Sequence, residues 1–400
     1  MPLDVARVRS WFPALEEGVA HFDGPGGSQT PRQVAHAVAA TLGSGIANRG
    51  SVSVAEQRAE RIVVEARQAV ADLVGGVPGG VVFGRSMTQL TYDLARTLAK
   101  QWGSGDEVVV TRLDHDANLR PWVQAADAVG ATVRWAGFDR ETGDLPVDAV
   151  AELLTGRTKL VAVTAASNLL GTRPDVRAIA DAAHGVGALV HVDGVHATPH
   201  VATDVRALGA DFYACSPYKF FGPHHGALVA APELLETLHP DKLLPSTDAV
   251  PERFELGTLP YELLAGTTAA VDVIADLDHT ATGDRRARIT ASMAAVAGHE
   301  DALFDVLLEG LRALDGVTLH GSPARRTPTV LFSVAGRVGR EVQEHLAARD
   351  VNAPAGSFYA LEASRFMGLG DGGAVRAGLA PYTDVDDVQR LLDGVAELCG

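Results

Sequence analysis

Short apolar runs alternate with amphipathic stretches over residues 107–230. The runs are rich in β-branched residues and predict strands, and the segments between them repeat apolar residues at helical spacing. Because the runs contain few polar interruptions, we expect a mainly parallel sheet that is covered on both faces. The predicted strands are EVVVTRLDHD, ATVRWAGF, KLVAVTAAS, ALVHVDGVH, DFYACS and GALVAA, and the predicted helices are RPWVQAADAVG and PDVRAIADAAHGVG.

A different pattern follows a turn-rich segment at residues 243–259. Two long helical stretches, at 260–278 and 284–314, precede the strand patterns VTLHG and TPTVLFSV, a helix, the strand VRAGLAPY and a last helix from Asp384. This mixture predicts a smaller α+β domain beside the α/β unit, since 400 residues exceed one ordinary core. We predict a large cofactor-binding domain at 20–260 and a small domain formed by 1–19 and 261–400.

Composition narrows the classes of partner. Hydrophobic residues make up 46% and charged residues 21% of the chain, which is typical of globular proteins. The chain has 34 Lys and Arg against 50 Asp and Glu, a net charge of −16, so we expect it to bind neither nucleic acid nor an anionic membrane surface. Its first 18 residues do not resemble a signal peptide, and no apolar run is long enough to span a bilayer.

The two cysteines, Cys215 and Cys399, are too few for a disulfide framework or a four-cysteine zinc site. A cytoplasmic location is therefore expected. The histidines His191, His196 and His200 match no recognised ligand spacing, so no metal site is predicted.

Polar side chains follow the predicted strands, at the edge where parallel sheets bind ligands. Each has an ordinary structural explanation, but together they indicate a site large enough for a cofactor. They are Arg85, Ser86 and Thr88, with Met87 between the last two; Asp114, His115 and Asn118; Ser167 and Asn168; Asp193 and His196; and Ser216, Tyr218 and Lys219.

Lys219 and Asp193 are the most informative of these. Lys219 lies between aromatic residues in SPYKFFGPHHG, and loss of hydration there would favour the neutral amine that attacks aldehydes; the alternative is a surface lysine. Asp193 ends the apolar run ALVHV and needs a cationic partner. A protonated pyridine nitrogen would serve, whereas a helix cap is the alternative.

Two weaker signals point the same way. Ser86, Met87 and Thr88 open a helical stretch, and free backbone N–H groups at a helix start bind phosphate. An ordinary N-cap has the same sequence pattern. His115 could stack on a flat ring, although a histidine after a strand is more often a structural hydrogen-bonding residue.

Ordered motifs along nearly the whole chain are similar to those of class V aminotransferases of fold type I, and within them to the cysteine desulfurase-like branch of pyridoxal phosphate enzymes. The motifs are HFDGPGGSQTP, TRLDHDANLRPW, SNLLG, HVDGVH, SPYKFFGPHHG, FELGT and VRAGLAPY. The resemblance implies a seven-stranded-type, mainly parallel sheet in the large domain, pyridoxal 5'-phosphate as cofactor, and a homodimer with shared active sites.

The resemblance also implies residue roles. Lys219 would bind the cofactor as a Schiff base, Asp193 would pair with the pyridine nitrogen, and His115 would stack on the ring. Arg376 of VRAGLAPY would bind the substrate α-carboxylate, as a planar guanidinium can. The other implied residues are Met87, Thr88 and Ser216 at the phosphate, Gly257 and Thr258 reaching it from the second subunit, Asn168 and His196 near the ring hydroxyl, and Gly26, Gly27 and Tyr359 at the substrate.

The sequence departs from the family at three points. Tyr218 stands where a histidine is frequent, and Met87 replaces a threonine of the phosphate site. The third departure concerns the mobile-loop cysteine that accepts sulfur in desulfurases. The corresponding segment here, NAPAGSFYALEASRFMGL, contains no cysteine, and Tyr359 or a neighbour stands at the aligned position. Cys215 is expected to be buried, and Cys399 to be remote.

The resemblance therefore predicts an enzyme that acts on a small α-amino acid through an external aldimine and a Cα carbanion. Lyase-type cleavage of a carbon–sulfur bond is favoured, with aminotransferase or epimerase chemistry as the alternative. A cofactor-binding homologue without activity is a weaker alternative. Such a protein would not need to keep the four residues Lys219, Asp193, His115 and Arg376 together. No G-x-G-x-x-G follows the first strand, which argues against a dehydrogenase.

Overall fold

The computed structural model describes residues 3–399. The helices are α1 (Val5–Arg9), α2 (Arg32–Leu42), α3 (Val54–Val74), α4 (Met87–Ala99), α5 (Arg120–Val129), α6 (Val147–Ala151), α7 (Val176–Gly185), α8 (Pro232–Glu236), α9 (Tyr261–Ala275), α10 (Arg285–Arg312), α11 (Gly339–Ala347), α12 (Leu361–Phe366) and α13 (Val385–Cys399). Short 3-10 turns include Asp116–Asn118 and Pro217–Lys219.

The strands form three sheets. They are β1 (Ala20–His21), β2 (Val81–Gly84), β3 (Glu107–Thr111), β4 (Thr132–Ala136), β5 (Thr158–Thr164), β6 (Leu189–Asp193), β7 (Phe212–Cys215), β8 (Gly226–Ala230), β9 (Val317–His320), β10 (Thr329–Val334), β11 (Val351–Asn352), β12 (Ala355–Gly356) and β13 (Ala374–Gly378).

The central sheet has seven strands in the order β2-β8-β7-β6-β5-β3-β4. Strand β8 runs opposite to the other six strands of this sheet, and the pairs that do not involve β8 are parallel, which confirms the predicted mainly parallel sheet. Successive side chains point to opposite faces: Val109 and Val161 belong to the core that includes α3 and α7, whereas Val108 belongs to the core that includes α4 and α5. Burial on both faces explains why these strands are continuously apolar.

The C-terminal part contains an antiparallel sheet in the order β12-β13-β10-β9. Apolar side chains of α10, α11 and α13 cover it. The short β1 pairs with β11 and thus joins the N-terminal segment to this unit. Helix α9 contacts α2, α3 and α10, so it bridges the two units, and the predicted division at residue 261 remains a prediction.

Local sequence signals explain the helix boundaries that matter for the site. Ser86 caps α4, because its hydroxyl accepts from the Gln89 N–H at 3.1 Å. Gly130 ends α5 in a left-handed conformation. None of the helices in residues 3–399 combines the length and the apolar character that a membrane crossing requires.

Candidate active site

A cavity of about 610 Å³ opens at the carboxyl ends of the central parallel strands. This is the edge at which open α/β sheets bind ligands. The start of α4 forms one wall, and residues of the C-terminal part form another. Most predicted site residues line it: Gly26, Met87, Thr88, His115, Asn168, Asp193, His196, Ser216, Lys219, Tyr359 and Arg376.

Lys219 ends the 3-10 turn that follows β7. Its Nζ donates to the carbonyl oxygen of Pro25 at 2.5 Å and lies 4.9 Å from the centre of the Tyr218 ring. Burial and, to a smaller extent, the positive charge of Arg376 lower the pKa of Lys219 to about 7, although Asp193 opposes the shift. The amine is therefore substantially neutral at neutral pH, as a nucleophile for an aldehyde must be.

Asp193 is the last residue of β6 and is 4% exposed. Its Oδ1 accepts from the Val195 N–H at 2.9 Å, and Oδ2 accepts nothing from residues 3–399. Burial raises the pKa of this carboxyl group to about 6, against the effect of the Val195 hydrogen bond and of Lys219. A second cation would restore full ionisation, which fits a protonated pyridine nitrogen.

His115 has a structural role, and its ring also faces the cavity. Its Nδ1 accepts from the Ala117 N–H at 3.0 Å and so caps the 3-10 turn after β3. Its ring also lines the cavity, stacked at 29° and 5.6 Å between centroids on Tyr359. Burial lowers the pKa of His115 to about 4, so a neutral, flat ring faces the cavity.

The start of α4 offers backbone donors. Helix geometry leaves the first N–H groups without intrahelical partners, and those of Met87 and Thr88 lie at the cavity wall. Gly226 of β8 lies directly behind, where a Cβ atom would come within 2.3 Å of the Met87 nitrogen. The Ser86 hydroxyl is engaged as the N-cap, so the backbone amides and the hydroxyl groups of Thr88 and Ser216 remain for an anion.

Arg376 of β13 brings a buried cation from the C-terminal part into the cavity. It is 2% exposed, and its Nη1 donates to the Asn168 carbonyl oxygen at 2.8 Å. The ring of Phe358 lies 3.7 Å from the guanidinium carbon, and Nε has no partner among the described residues. Burial lowers the Arg376 pKa to about 9. A carboxylate ligand would satisfy the unpaired donors.

The tip that carries Phe358 and Tyr359 borders the cavity and is held by hydrogen bonds to its backbone. Both residues have positive φ, 53° and 58°, which bulky side chains rarely adopt. The Asn168 side-chain amide donates to the Phe358 carbonyl at 2.9 Å, and the Asp116 N–H donates to the Tyr359 carbonyl at 2.7 Å. Loops after β5 and β3 thus fix the tip.

Two buried polar atoms at the cavity wall have no partner in the described structure, Oδ1 of Asn168 and Nδ1 of His196. Buried polar atoms are normally hydrogen-bonded. The site also contains the largely neutral amine of Lys219, the Asp193 carboxylate with its one hydrogen bond, and the free N–H groups at the start of α4. Together these groups fit an aromatic aldehyde that carries a phosphate and a ring hydroxyl. The residues present therefore fit pyridoxal phosphate.

Some residues expected near the site lie elsewhere. Asp114 and Asn118 do not line the cavity, although both follow a predicted strand and were expected at the site. Burial raises the Asp114 pKa well above its usual value; the carboxyl group accepts from Thr111 and Asn118, and the Asn118 oxygen binds Nδ1 of His191. The four side chains form a buried network, because a buried polar group must find partners wherever they are.

Four further predicted residues do not line this cavity. The Ser167 hydroxyl accepts from two N–H groups of its own turn. Gly27 lies against the Tyr218 ring, 3.4 Å from where its Cβ would be. Gly257 and Thr258 are exposed and do not line the cavity of their own chain, so their predicted contact with a phosphate requires a second subunit.

Neither cysteine reaches the cavity. Cys215 lies within β7, fully buried, and burial raises the pKa of its thiol to about 12. Cys399 ends α13, where its thiol contacts the Val395 carbonyl at 3.3 Å. The expected burial of Cys215 is confirmed. In residues 3–399 no thiol lines the cavity.

Sequence reasoning missed several residues of the site. The Pro25 carbonyl and the ring of Phe358 act through a backbone group and a cation–π contact, for which sequence offers no signal. The outer wall contains Tyr92 of α4 and the ion pair of Arg120 with Asp116 at 2.9 Å. Asp116 and Arg120 stand in the quoted motif TRLDHDANLRPW, whose polar residues could have suggested them.

Comparisons with known proteins show what this chain is similar to. The family model "Aminotransferase class-V" matches residues 20–391. An uncharacterized protein of Mycobacterium tuberculosis is 37% identical over 100% of both chains, and a probable cysteine desulfurase of Pseudomonas aeruginosa is 33% identical, covering 96% of this chain and 95% of its own. The solved apo structure of a cysteine desulfurase from Thermococcus onnurineus superposes with a TM-score of 0.89 at 27% identity, over 100% and 98% of the two chains.

Proposed function

The chain belongs to the class V aminotransferase family, whose members use pyridoxal phosphate, and we propose that it is a lyase that cleaves a carbon–sulfur bond of a small α-amino acid without forming a protein-bound persulfide. One observation supports this proposal above others. The cavity unites Lys219, Asp193, His115 and Arg376, while none of the described thiols lines it. Relatives named as cysteine desulfurases support chemistry at sulfur.

We assign the cofactor to the groups that fit it. Lys219 would hold it covalently, Asp193 would keep its ring nitrogen protonated, and His115 would cover its ring. The amides at the start of α4, with Thr88 and Ser216, would bind the phosphate. Bound pyridoxal phosphate supplies an electron sink for charge that develops at the substrate Cα.

The remaining chemistry falls to side chains of this protein. Arg376 would bind the substrate α-carboxylate through its unpaired N–H groups, which fixes the substrate against the cavity wall. Once the substrate amine had replaced Lys219 as the group bound to the cofactor, the freed Nζ would take the proton from Cα, because its lowered pKa of about 7 suits a base at neutral pH. The neutral ring of His115 and the ring of the tip residue Phe358 would exclude water from part of the cavity that they line.

A panel of amino acids tests the reaction type. Cofactor-loaded protein would be incubated with each amino acid, and sulfide, pyruvate, alanine and racemised substrate would be measured. With cysteine, the proposal predicts one sulfide, one pyruvate and one ammonia for each cysteine and water consumed. Amino-group transfer to a 2-oxo acid would identify an aminotransferase instead, and racemisation without release of sulfur would identify an epimerase.

Cysteine replacement tests the absence of a persulfide step. The variant Cys215→Ala, Cys399→Ala should retain sulfide release, because neither thiol is placed to attack a substrate sulfur and the Cys215 thiol is protonated at neutral pH. Alanine as the product, together with a persulfide on either cysteine, would contradict the proposal and restore a desulfurase mechanism.

We also propose that two copies share their active sites. Large apolar side chains are exposed on two neighbouring segments, Leu42, Val52 and Val54 on one and Leu243, Leu244 and Leu256 on the other. An ion pair between Arg49 and Glu252 at 3.0 Å joins these segments. Exposed apolar groups of this kind are typical of an interface, and Gly257 and Thr258 follow directly.

Complementation tests the shared site. Lys219→Ala would lack the nucleophile, and Thr258→Glu would bring a negative charge to the partner's phosphate, so each variant alone should be inactive. Mixed and reassembled, they should regain up to about a quarter of wild-type activity, because half of the dimers are mixed and one of their two sites is intact. No recovery from mixed dimers of proven composition would contradict the proposal.

A cytoplasmic location remains a prediction, supported by the scarcity of cysteine.

A further inference from the structure

His196 meets two threonines from the C-terminal part of the chain. The histidine lies in the turn after β6 and is 3% exposed. Its Nε2 is 2.9 Å from the Thr327 hydroxyl oxygen and 3.1 Å from that of Thr329, the first residue of β10. Its other ring nitrogen, Nδ1, is buried at the cavity wall without a partner among residues 3–399.

The two hydroxyl groups are not equivalent. The Thr327 hydroxyl has a second acceptor within reach, the Gly171 carbonyl at 3.4 Å. The Thr329 hydroxyl is fully buried, and Nε2 of His196 is the one acceptor that the described residues offer it. Because a buried donor requires an acceptor, the Thr329 hydroxyl donates to Nε2. A ring nitrogen that accepts a hydrogen bond holds no proton.

The imidazole is also neutral. Burial holds the His196 pKa well below its usual value, and the nearby basic groups of His200, Arg376 and Lys219 act in the same direction. The acidic groups in this region are Glu300, which pairs with His200 at 2.9 Å, and Asp193, which lines the same cavity as His196. With one proton on the ring and none on Nε2, the proton is on Nδ1.

We infer that Thr329 is a positioning residue that fixes His196 as the Nδ1–H tautomer, so that a hydrogen-bond donor faces the ring oxygen of the bound cofactor. The statement about the cofactor rests on the proposed function; the statement about the tautomer does not. A donor stabilises an oxygen anion, whereas a lone pair in the same place would repel it. The C-terminal part thereby influences the protonation of a cofactor that the central sheet holds.

Nitrogen NMR of the cofactor-free protein tests the tautomer directly. Histidines would be labelled with ¹⁵N, and the His196 signals would be identified by their loss in His196→Gln. We expect a protonated Nδ1 and an unprotonated Nε2 in the wild type. Thr329→Val should move the proton to Nε2, which can then donate to Thr327, and Thr329→Ser should restore the wild-type pattern.

Thr327→Val is the matched control. It removes a hydroxyl at the same nitrogen, but the Thr329 donor remains, so Nδ1 should stay protonated. A proton on Nε2 in the wild type would overturn the inference, as would equal behaviour of the two valine variants. If Thr329→Val does not fold, the wild type, Thr327→Val and Thr329→Ser still decide it.

The visible absorption of the lysine-bound cofactor provides a second readout. Titration with alkali converts this chromophore to a form with more negative charge on the ring oxygen, which a donor from Nδ1 stabilises. Thr329→Val should therefore raise the midpoint by about one pH unit, a tenfold change in proton affinity, while Thr327→Val leaves it within a few tenths. An unchanged midpoint with a changed tautomer would refute the contact with the cofactor and leave the tautomer assignment intact. Protein that binds no cofactor would refute the proposed function alone.

Discussion

Replacing Gly226 by alanine should disturb the phosphate end of the site through one methyl group. Gly226 begins β8 directly behind the start of α4. A Cβ atom there would lie 2.3 Å from the Met87 nitrogen and 2.3 Å from the Ser86 carbonyl carbon. Both are backbone atoms, which cannot move aside by a change of rotamer.

The size of the effect follows from the overlap. An ordinary contact needs about 3.5 Å, so the first turn of α4 must shift by about 1 Å relative to β8. Such overpacking costs ~1–3 kcal/mol of folding stability. The same shift displaces the amides of Met87 and Thr88, and we expect cofactor affinity to fall by about 10- to 100-fold, equivalent to ~1.4–2.8 kcal/mol.

The assay compares Gly226→Ala with Gly298→Ala. Gly298 lies in α10 and has nothing within 4 Å of its would-be Cβ, so alanine there should stabilise the protein by ~0.5–1 kcal/mol. Thermal unfolding and equilibrium titration with pyridoxal phosphate would be measured for both. A Gly226→Ala protein with wild-type affinity and unfolding temperature would refute the assignment of this wall to the phosphate.

Three other predictions concern the buried charges. Covalent incorporation of cofactor should accelerate as pH rises through about 7 and then level off, because the Lys219 pKa is lowered to about 7 and only the neutral amine attacks; a midpoint near the ordinary lysine value of about 10.4 would contradict this. Arg376→Ala should lower kcat/KM by at least ~30-fold, or ~2 kcal/mol, whereas Arg365→Ala, which removes an exposed ion pair with Asp371, should leave it unchanged; equal kinetics would remove Arg376 from the site. Asp193→Asn should retain cofactor but slow exchange of the substrate Cα proton with deuterated water, measured by NMR; unchanged exchange would exclude the assigned role.

The sequence predicted the sheet better than it predicted the contacts of the site. Continuous apolar runs identified β3, β5, β6 and β7, because burial on both faces leaves a strong signal over several residues. The position of Lys219 and Asp193 followed, since strand ends meet at one edge. Family resemblance added Arg376, whose burial in β13 depends on contacts more than 200 residues away along the chain.

What escaped prediction depends on backbone conformation and on distant partners. The left-handed conformations of Phe358 and Tyr359 contradict local preference and are maintained by tertiary hydrogen bonds. Asp114 escaped prediction for the second reason. It follows a strand as site residues do, but its carboxyl group belongs to a buried hydrogen-bond network and not to the cavity. Neither spacing nor composition reports which side of a loop a carboxyl group takes.

The conformation of the tip formed by Phe358 and Tyr359 does not depend on the identity of its exposed side chain. Its two carbonyl groups, not its side chains, carry the hydrogen bonds that fix it. Tyr359 is 76% exposed although it borders the cavity. Its side chain can therefore be exchanged while the loop keeps its course, provided the replacement tolerates positive φ; glycine and asparagine qualify, and β-branched residues do not. The protein thus holds a replaceable functional group at the entrance of its active site, on a support that does not depend on which group stands there.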